Sequence, residues 1–366
     1  MNRSRDFDFL CETTETPFTF TTNVTLNLNF DHMVVPNVPD TASQNLVELV
    51  NQFDVYLNTY IIHFMCAFGI VGNVLTIYII TKCGFRDTTN IVLLSLSVSD
   101  LVYSLTTEVC YVRKIIHLFD IYLEKTYYAY YIIILLTING IGNASSFLLV
   151  VIISIERFIA VWFPLHVTRI ITPFRMKCAV IFVYVYLFIL VIPDYMCYYI
   201  IWYHKSNLNI TYGWIGITQF YTDNSDTLNS YFMLYRNNIL TTIPLIVVII
   251  CTTMITVKLI SVSKFTKQNA KKSTSRILKD MKVIKMLLTV CIVYIITVVP
   301  TTSLDIYMTY TEIQPAEKNL IIYIQTIFYQ INASVNFIIY ITVSSKFSEK
   351  YRSLFTGRGK ATKIKF

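Results

Sequence analysis

The sequence predicts an all-α membrane protein: a seven-transmembrane helix bundle with a short amphipathic eighth helix. Three observations carry that prediction. Of the 366 residues, 55% are hydrophobic and only 14% are charged, against about a quarter charged in a soluble domain. The apolar residues gather into seven long runs. The charges fall mostly in the gaps, with bases and acids on opposite sides.

A helix rising about 1.5 Å per residue needs about 20 apolar residues to cross a bilayer core of about 30 Å. The first run, Tyr56–Thr81, meets this without Asp, Glu, Lys or Arg. The second, Ile91–Val112, carries Asp100 and Glu108, and the third, Tyr127–Val161, carries Asn139 and Asn143. The fourth, Cys178–Trp202, is among the cleanest; the fifth, Tyr231–Ser261, contains Arg236, Asn237 and Asn238. Met281–Tyr310 and Leu320–Val343 complete the set. Barrel strands are excluded, because they alternate and run to about 10 residues. Buried helices of a soluble protein do not explain seven runs of this length. The chain divides into an N-terminal tail (1–55), the helical domain (56–343) and a tail with the amphipathic piece (344–366).

Lys and Arg set the orientation. With the N-terminus outside, 22 of the 30 bases lie on the inner side beside four acids, while eight bases and 17 acids lie outside. The net +8 is thus a dipole across a bilayer, and no nucleic-acid partner is expected. Membrane lipids are the expected neighbours of the inner bases, each worth about 1 kcal/mol near anionic headgroups. The tail has no leading apolar stretch, so the first span is expected to serve as the targeting signal, with the plasma membrane as destination. Asn2, Asn23 and Asn209 sit in outer-side N-x-Ser/Thr sequons and are candidate glycosylation sites. The five His are scattered singly and offer no metal-ligand spacing, so no enzyme is expected.

Every span but the fourth carries a motif. The first has Gly72-Asn73-Val74-Leu75 and the second Leu96-Ser97-Val98-Ser99-Asp100-Leu101. The third ends in Glu156-Arg157-Phe158, followed by Pro164-Leu165. Pro244 and Pro300 interrupt the fifth and sixth, and the seventh holds Asn332 and Asn336-Phe337-Ile338-Ile339-Tyr340. In this order, over about Tyr56–Phe355, the chain resembles a rhodopsin-like (class A) G-protein-coupled receptor. Ile155–Thr172 and the Ser334–Tyr340 run look most like invertebrate peptide-type and chemosensory-type members.

The resemblance implies roles. Asp100, near mid-bilayer, is costly there and functional by default. With Asn73, Ser146, Asn332 and Asn336 it would hold a sodium ion, or else the cluster only glues helices. Arg157, beside Glu156, would be held inactive by an acid at the base of the sixth helix, the place of Asp280. Alternatively, Asp280 only offsets Lys279 and Lys282. Pro300 would kink the sixth helix so that its inner end swings outward, and Tyr340 remains of the seventh-helix motif. The implied partners are an extracellular ligand (peptide or small molecule), a heterotrimeric G protein and arrestin. Phe347, Tyr351, Leu354 and Phe355 share one face of a lipid-lying helix.

The match also departs from the family. Ile132 stands where a third-helix Cys is usual, and the loop His204–Ser230 has no Cys. Cys11 is left to bridge Cys110 or Cys197, or all stay as free thiols. Val298 replaces the usual aromatic switch two residues before Pro300, Phe337 replaces a Pro, Thr252 a Tyr, and the fourth-helix Trp is missing. Asn139 takes the place of an amine-binding Asp, and Gln330 that of a retinal-binding Lys.

Glu108, Arg236 and Asp305 are expected in one outer cavity, walled by Tyr131, Tyr307 and Tyr323. Asn139 and Gln330 complete the candidate set. Either Arg236 and Asp305 neutralise each other or snorkel to the interface, or they bind a ligand with both charges, such as a short amidated peptide or an amino-acid-like odorant. A signalling-impaired or orphan chemosensory receptor, and a transporter or channel, are the rival functions.

Overall fold

Seven helices in the structure, a computed structural model, are long and apolar enough to cross a membrane. The structure describes residues 60–84, 87–268, 275–311, 313–343 and 345–356. Helix α1 (Ile62–Cys83) is followed by α2 (Thr88–His117), which Asp87 caps by accepting from the Thr89 amide. Asp120 caps α3 by accepting from the Tyr122 and Leu123 amides. This helix runs over Ile121–Trp162, with a π-helical turn at Tyr131–Leu135. Thr172 caps α4 (Pro173–Leu190), and Pro173 fits its first turn because that N–H would be unpaired anyway. Helix α5 comprises Ser225–Phe232, a π-helical stretch Met233–Thr242 just before Pro244, and Ile243–Gln268. Helices α6 (Ser275–Tyr310, containing Pro300), α7 (Pro315–Val343) and α8 (Ser345–Thr356) follow.

The fourth apolar run is not one helix to its end. After Leu190 the chain makes a short turn, Ile192–Tyr195, and then an antiparallel hairpin, β1 (Tyr198–Lys205) with β2 (Ile210–Ile217). Pro193 cannot continue the helical bonding. The β-branched and aromatic residues beyond it suit a pleated, half-buried surface. The hairpin rests on the start of α3. The Gly213 amide donates to Thr126 Oγ1 at 2.9 Å, and Lys125 lies over the Tyr212 and Trp214 rings. Among the described residues no disulfide forms; Cys11 lies outside them. Ile132, in the π-helical turn, is buried.

Helix α3 is the centre of the bundle, packed against α2, α4, α5 and α6, while α1 seats against α2 and α7. The largest core cluster joins Leu96, Phe147, Ile153, Leu287, Tyr294 and Tyr340. In contrast, α4 exposes Phe182, Val185, Phe188 and Ile189 to the outside. An apolar outer face of this kind is stable against lipid tails and costly against water. Helix α8 turns Phe347 inward, against Tyr340 and Phe337 of α7.

Candidate functional site

Three polar zones lie along the bundle: a cavity at the hairpin end, a buried cluster at mid-depth, and an ion pair at the Arg157 end. At mid-depth Asp100 of α2 is 1% exposed. Ser146 of α3 donates to its Oδ1 at 2.7 Å, and Asn336 of α7 to its Oδ2 at 2.8 Å. Asn332 stands one bond away, its carbonyl accepting from the Asn336 amide and its Oδ1 from Thr297 of α6. Asn73 departs from the expected direct partnership. Its amide donates to the Ala333 carbonyl at 2.9 Å and so ties α1 to the α7 backbone. Asp100 and Ser146 supply the oxygens at this level that could hold a cation.

Gly142 lets α2 and α3 approach closely at this level. A Cβ there would stand 2.9 Å from the Tyr103 amide nitrogen and 3.2 Å from the Ser99 carbonyl. Ser145 donates to Ser99 across the same contact at 2.8 Å. Small residues permit such backbone contact in lipid, where no hydrophobic force drives helices together.

At the hairpin end, a cavity of about 170 Å³ opens between α2, α3, α5, α6 and α7. Asp305, Asn139, Tyr131 and Tyr323 line it, as expected from the sequence. Gln325 donates to Asp305 at 2.9 Å. The Asn139 amide donates to Thr106 and Thr107 of α2 at 2.9 Å each. Three expected members, Glu108, Gln330 and Tyr307, are not on its wall. Glu108 turns to α1, where it meets His63 Nδ1 at 2.8 Å. The Gln330 amide is fully buried, donating to Ser104 at 2.7 Å and to Ser334 at 3.2 Å. Both sit on faces of α2 and α7 directed at α1, a rotation that helical rise alone does not specify. Tyr307 is exposed, with its hydroxyl donating to Glu317. The side chain of Arg236 lies outside the described residues.

The sequence reading missed Arg113 and Asp194, which also line the cavity. Arg113 Nη1 lies 3.6 Å from Glu124 Oε1 of α3, with its guanidinium 4.1 Å from the centre of the Tyr128 ring. The signal was present: Arg113 continues the stripe Tyr103, Thr106, Cys110 by helical spacing. Asp194, in the turn after α4, accepts from Tyr235 of α5 at 3.3 Å. The cavity floor includes Phe147 and Tyr329. Phe147 stands edge-on to Tyr294 of α6 at 5.4 Å and against Tyr329 of α7 at 5.6 Å.

At the Arg157 end, Arg157 pairs with Glu156 at 2.9 Å. Thr88 donates to Glu156 at 2.7 Å, and Arg157 donates to Thr89. Both threonines come from the start of α2. The Arg157 Nε and Tyr340 hydroxyl are buried, with no hydrogen-bond partner among the described residues. The Asp280 side chain, like Asn2 and Asn23, lies outside them; Asn209 is exposed at the hairpin tip, with φ 51°.

A seven-helix membrane bundle with a polar core beneath a tyrosine-walled cavity is the architecture of a membrane receptor. The chain matches the family model described as 7 transmembrane receptor (rhodopsin family) over residues 72–340, and it belongs to that family. No curated protein matches the chain.

Proposed function

We propose that the protein is a plasma-membrane receptor, N-terminus outside and C-terminus cytoplasmic, that binds an extracellular ligand in the hairpin-end cavity and activates a heterotrimeric G protein. The contact carrying this reading is the aromatic floor. Phe147 and Tyr329 both touch the cavity and each other, and Phe147 meets Tyr294 on its far side. Tyr294 belongs to α6, which Pro300 interrupts. A ligand pressing on that floor shifts α6 at its proline hinge and opens the Arg157 end to the G protein. Coupling needs such a two-state element whose balance both ends bias. Val298, where the sequence lacks an aromatic switch, is buried two residues from the hinge; the Phe147–Tyr294 pair takes over that work.

The ligand is a polar molecule carrying both charges, a neuropeptide or a smaller chemosensory compound, with Asp305 receiving its cationic group. Asp100 and Ser146 hold a sodium ion that favours the resting state, and arrestin shares the G-protein surface. The Glu156–Arg157 pair, with Thr88 and Thr89, keeps that end closed. Phe337 in place of a Pro favours a second reading, a receptor with impaired signalling. One experiment separates the two: nucleotide exchange by G proteins on vesicles bearing the full chain, screened with peptides and amino-acid-like compounds. Exchange that rises with a compound, and falls in Phe147→Ala at equal surface level, supports the proposal. A compound that binds without raising exchange on any G-protein class overturns it in favour of the impaired receptor.

A further inference from the structure

We infer that Arg113 is the anion anchor of the cavity, and that the ligand carries a free carboxylate rather than a C-terminal amide. The inference rests on the receptor reading above and fixes the chemistry of its ligand. Arg113 comes from the last turns of α2 and lines the cavity, with its side chain only 11% exposed. A guanidinium offers five donors in a planar fork. Its nearest carboxylate oxygen, on Glu124, stands at 3.6 Å, beyond hydrogen-bond reach. No described group accepts a hydrogen bond from it. A guanidinium that lines a largely apolar cavity with only a long ion pair gains from an incoming oxyanion that its donors can reach.

The surroundings argue against a purely structural role. Glu124 is already shared, with His117 Nδ1 at 3.9 Å from its other oxygen. Tyr128 stacks on the guanidinium and fixes its plane, leaving the edge with the N–H donors to meet a ligand in the geometry that suits a carboxylate. Asp305, on the same cavity, supplies the opposite charge from α6. An amphoteric molecule with an aromatic group between its charges matches this wall; an amidated peptide leaves the guanidinium unmet.

The test uses the full chain in phospholipid nanodiscs and reads binding by thermal melting. The probes are L-phenylalanine and triglycyl-phenylalanine, each as free acid and as C-terminal amide. The free acids are expected to bind about tenfold more tightly than the amides. Arg113→Gln is expected to erase that ratio. Glu124→Gln, which removes the competing carboxylate, is expected to widen it, and it decides the matter alone if Arg113→Gln does not fold. Amides equal to acids, acids that do not bind, or a ratio unmoved or narrowed by Glu124→Gln each overturn the anchor. The tighter of the amino-acid and peptide arms tells which source supplies the carboxylate. Acids that bind without driving nucleotide exchange sink the receptor reading and leave the anchor standing. Exchange driven equally by acid and amide does the reverse.

Discussion

Asp100 shows what one carboxylate does when seven helices close around it. It receives one donor from α3 and one from α7, so it reports the relative position of three helices. A cation beside it stabilises only the arrangement in which those helices meet. We therefore expect sodium to raise the melting temperature of the wild type and not of Asp100→Asn, measured with sodium against choline at equal ionic strength. At the other end, Thr88 and Thr89 hold the Glu156–Arg157 pair against α2. Hydrogen bonds to charged groups are worth about 1.5–3 kcal/mol net. The double variant Thr88→Val, Thr89→Val should therefore raise ligand-free nucleotide exchange several-fold at equal surface level. Unchanged basal exchange would show that these hydroxyls do not restrain Arg157. Glu108 makes the opposite point: its depth along α2 follows from the sequence, but its pairing with His63 does not.

Elements show where periodicity suffices and where it fails. Length and apolarity identify all seven spans, because a helix is the simplest way to satisfy the backbone in lipid. The end of α4 was misread because Tyr198–Trp202 is as apolar as the helix before it, and only Pro193 marks the change. The π-helical stretches in α3 and α5 have no sequence signature beyond the nearby Pro244. Contact between α2 and α3 depends on Gly142. Gly142→Ala should cost about 1–3 kcal/mol by overpacking, seen as a lower melting temperature. Gly140→Ala, with nothing within 4 Å of the added methyl, should leave stability unchanged or slightly raised. Equal effects of the two would remove the close approach as the reason for glycine.

For the whole molecule, the charge dipole and the hairpin bear on the same question of orientation. Bases gather on the side of Arg157 and the α5–α6 connection, acids on the hairpin side. If the hairpin faces outward, Asn209 at its exposed tip is open to glycosyl transfer. Asn209→Gln should then remove one glycan's mass from the protein expressed in a eukaryotic cell, as seen on a gel with and without glycosidase. No change, with Asn2 and Asn23 also unmodified, would count against the outward hairpin.

The sequence by itself determined the membrane class, the seven helices, the charge asymmetry and the order of motifs. Each is a local or summed property of the chain: run length, composition, or spacing within one helix. Tertiary structure decided which polar residues meet. Asn73 went to a backbone carbonyl, Glu108 and Gln330 turned toward α1, and Arg113 and Asp194 joined Asp305 around one cavity. Those outcomes depend on how far each helix is rotated about its axis when it packs. Rotation is set by contacts with residues far away in the chain, such as the approach at Gly142, and no single run of sequence contains them.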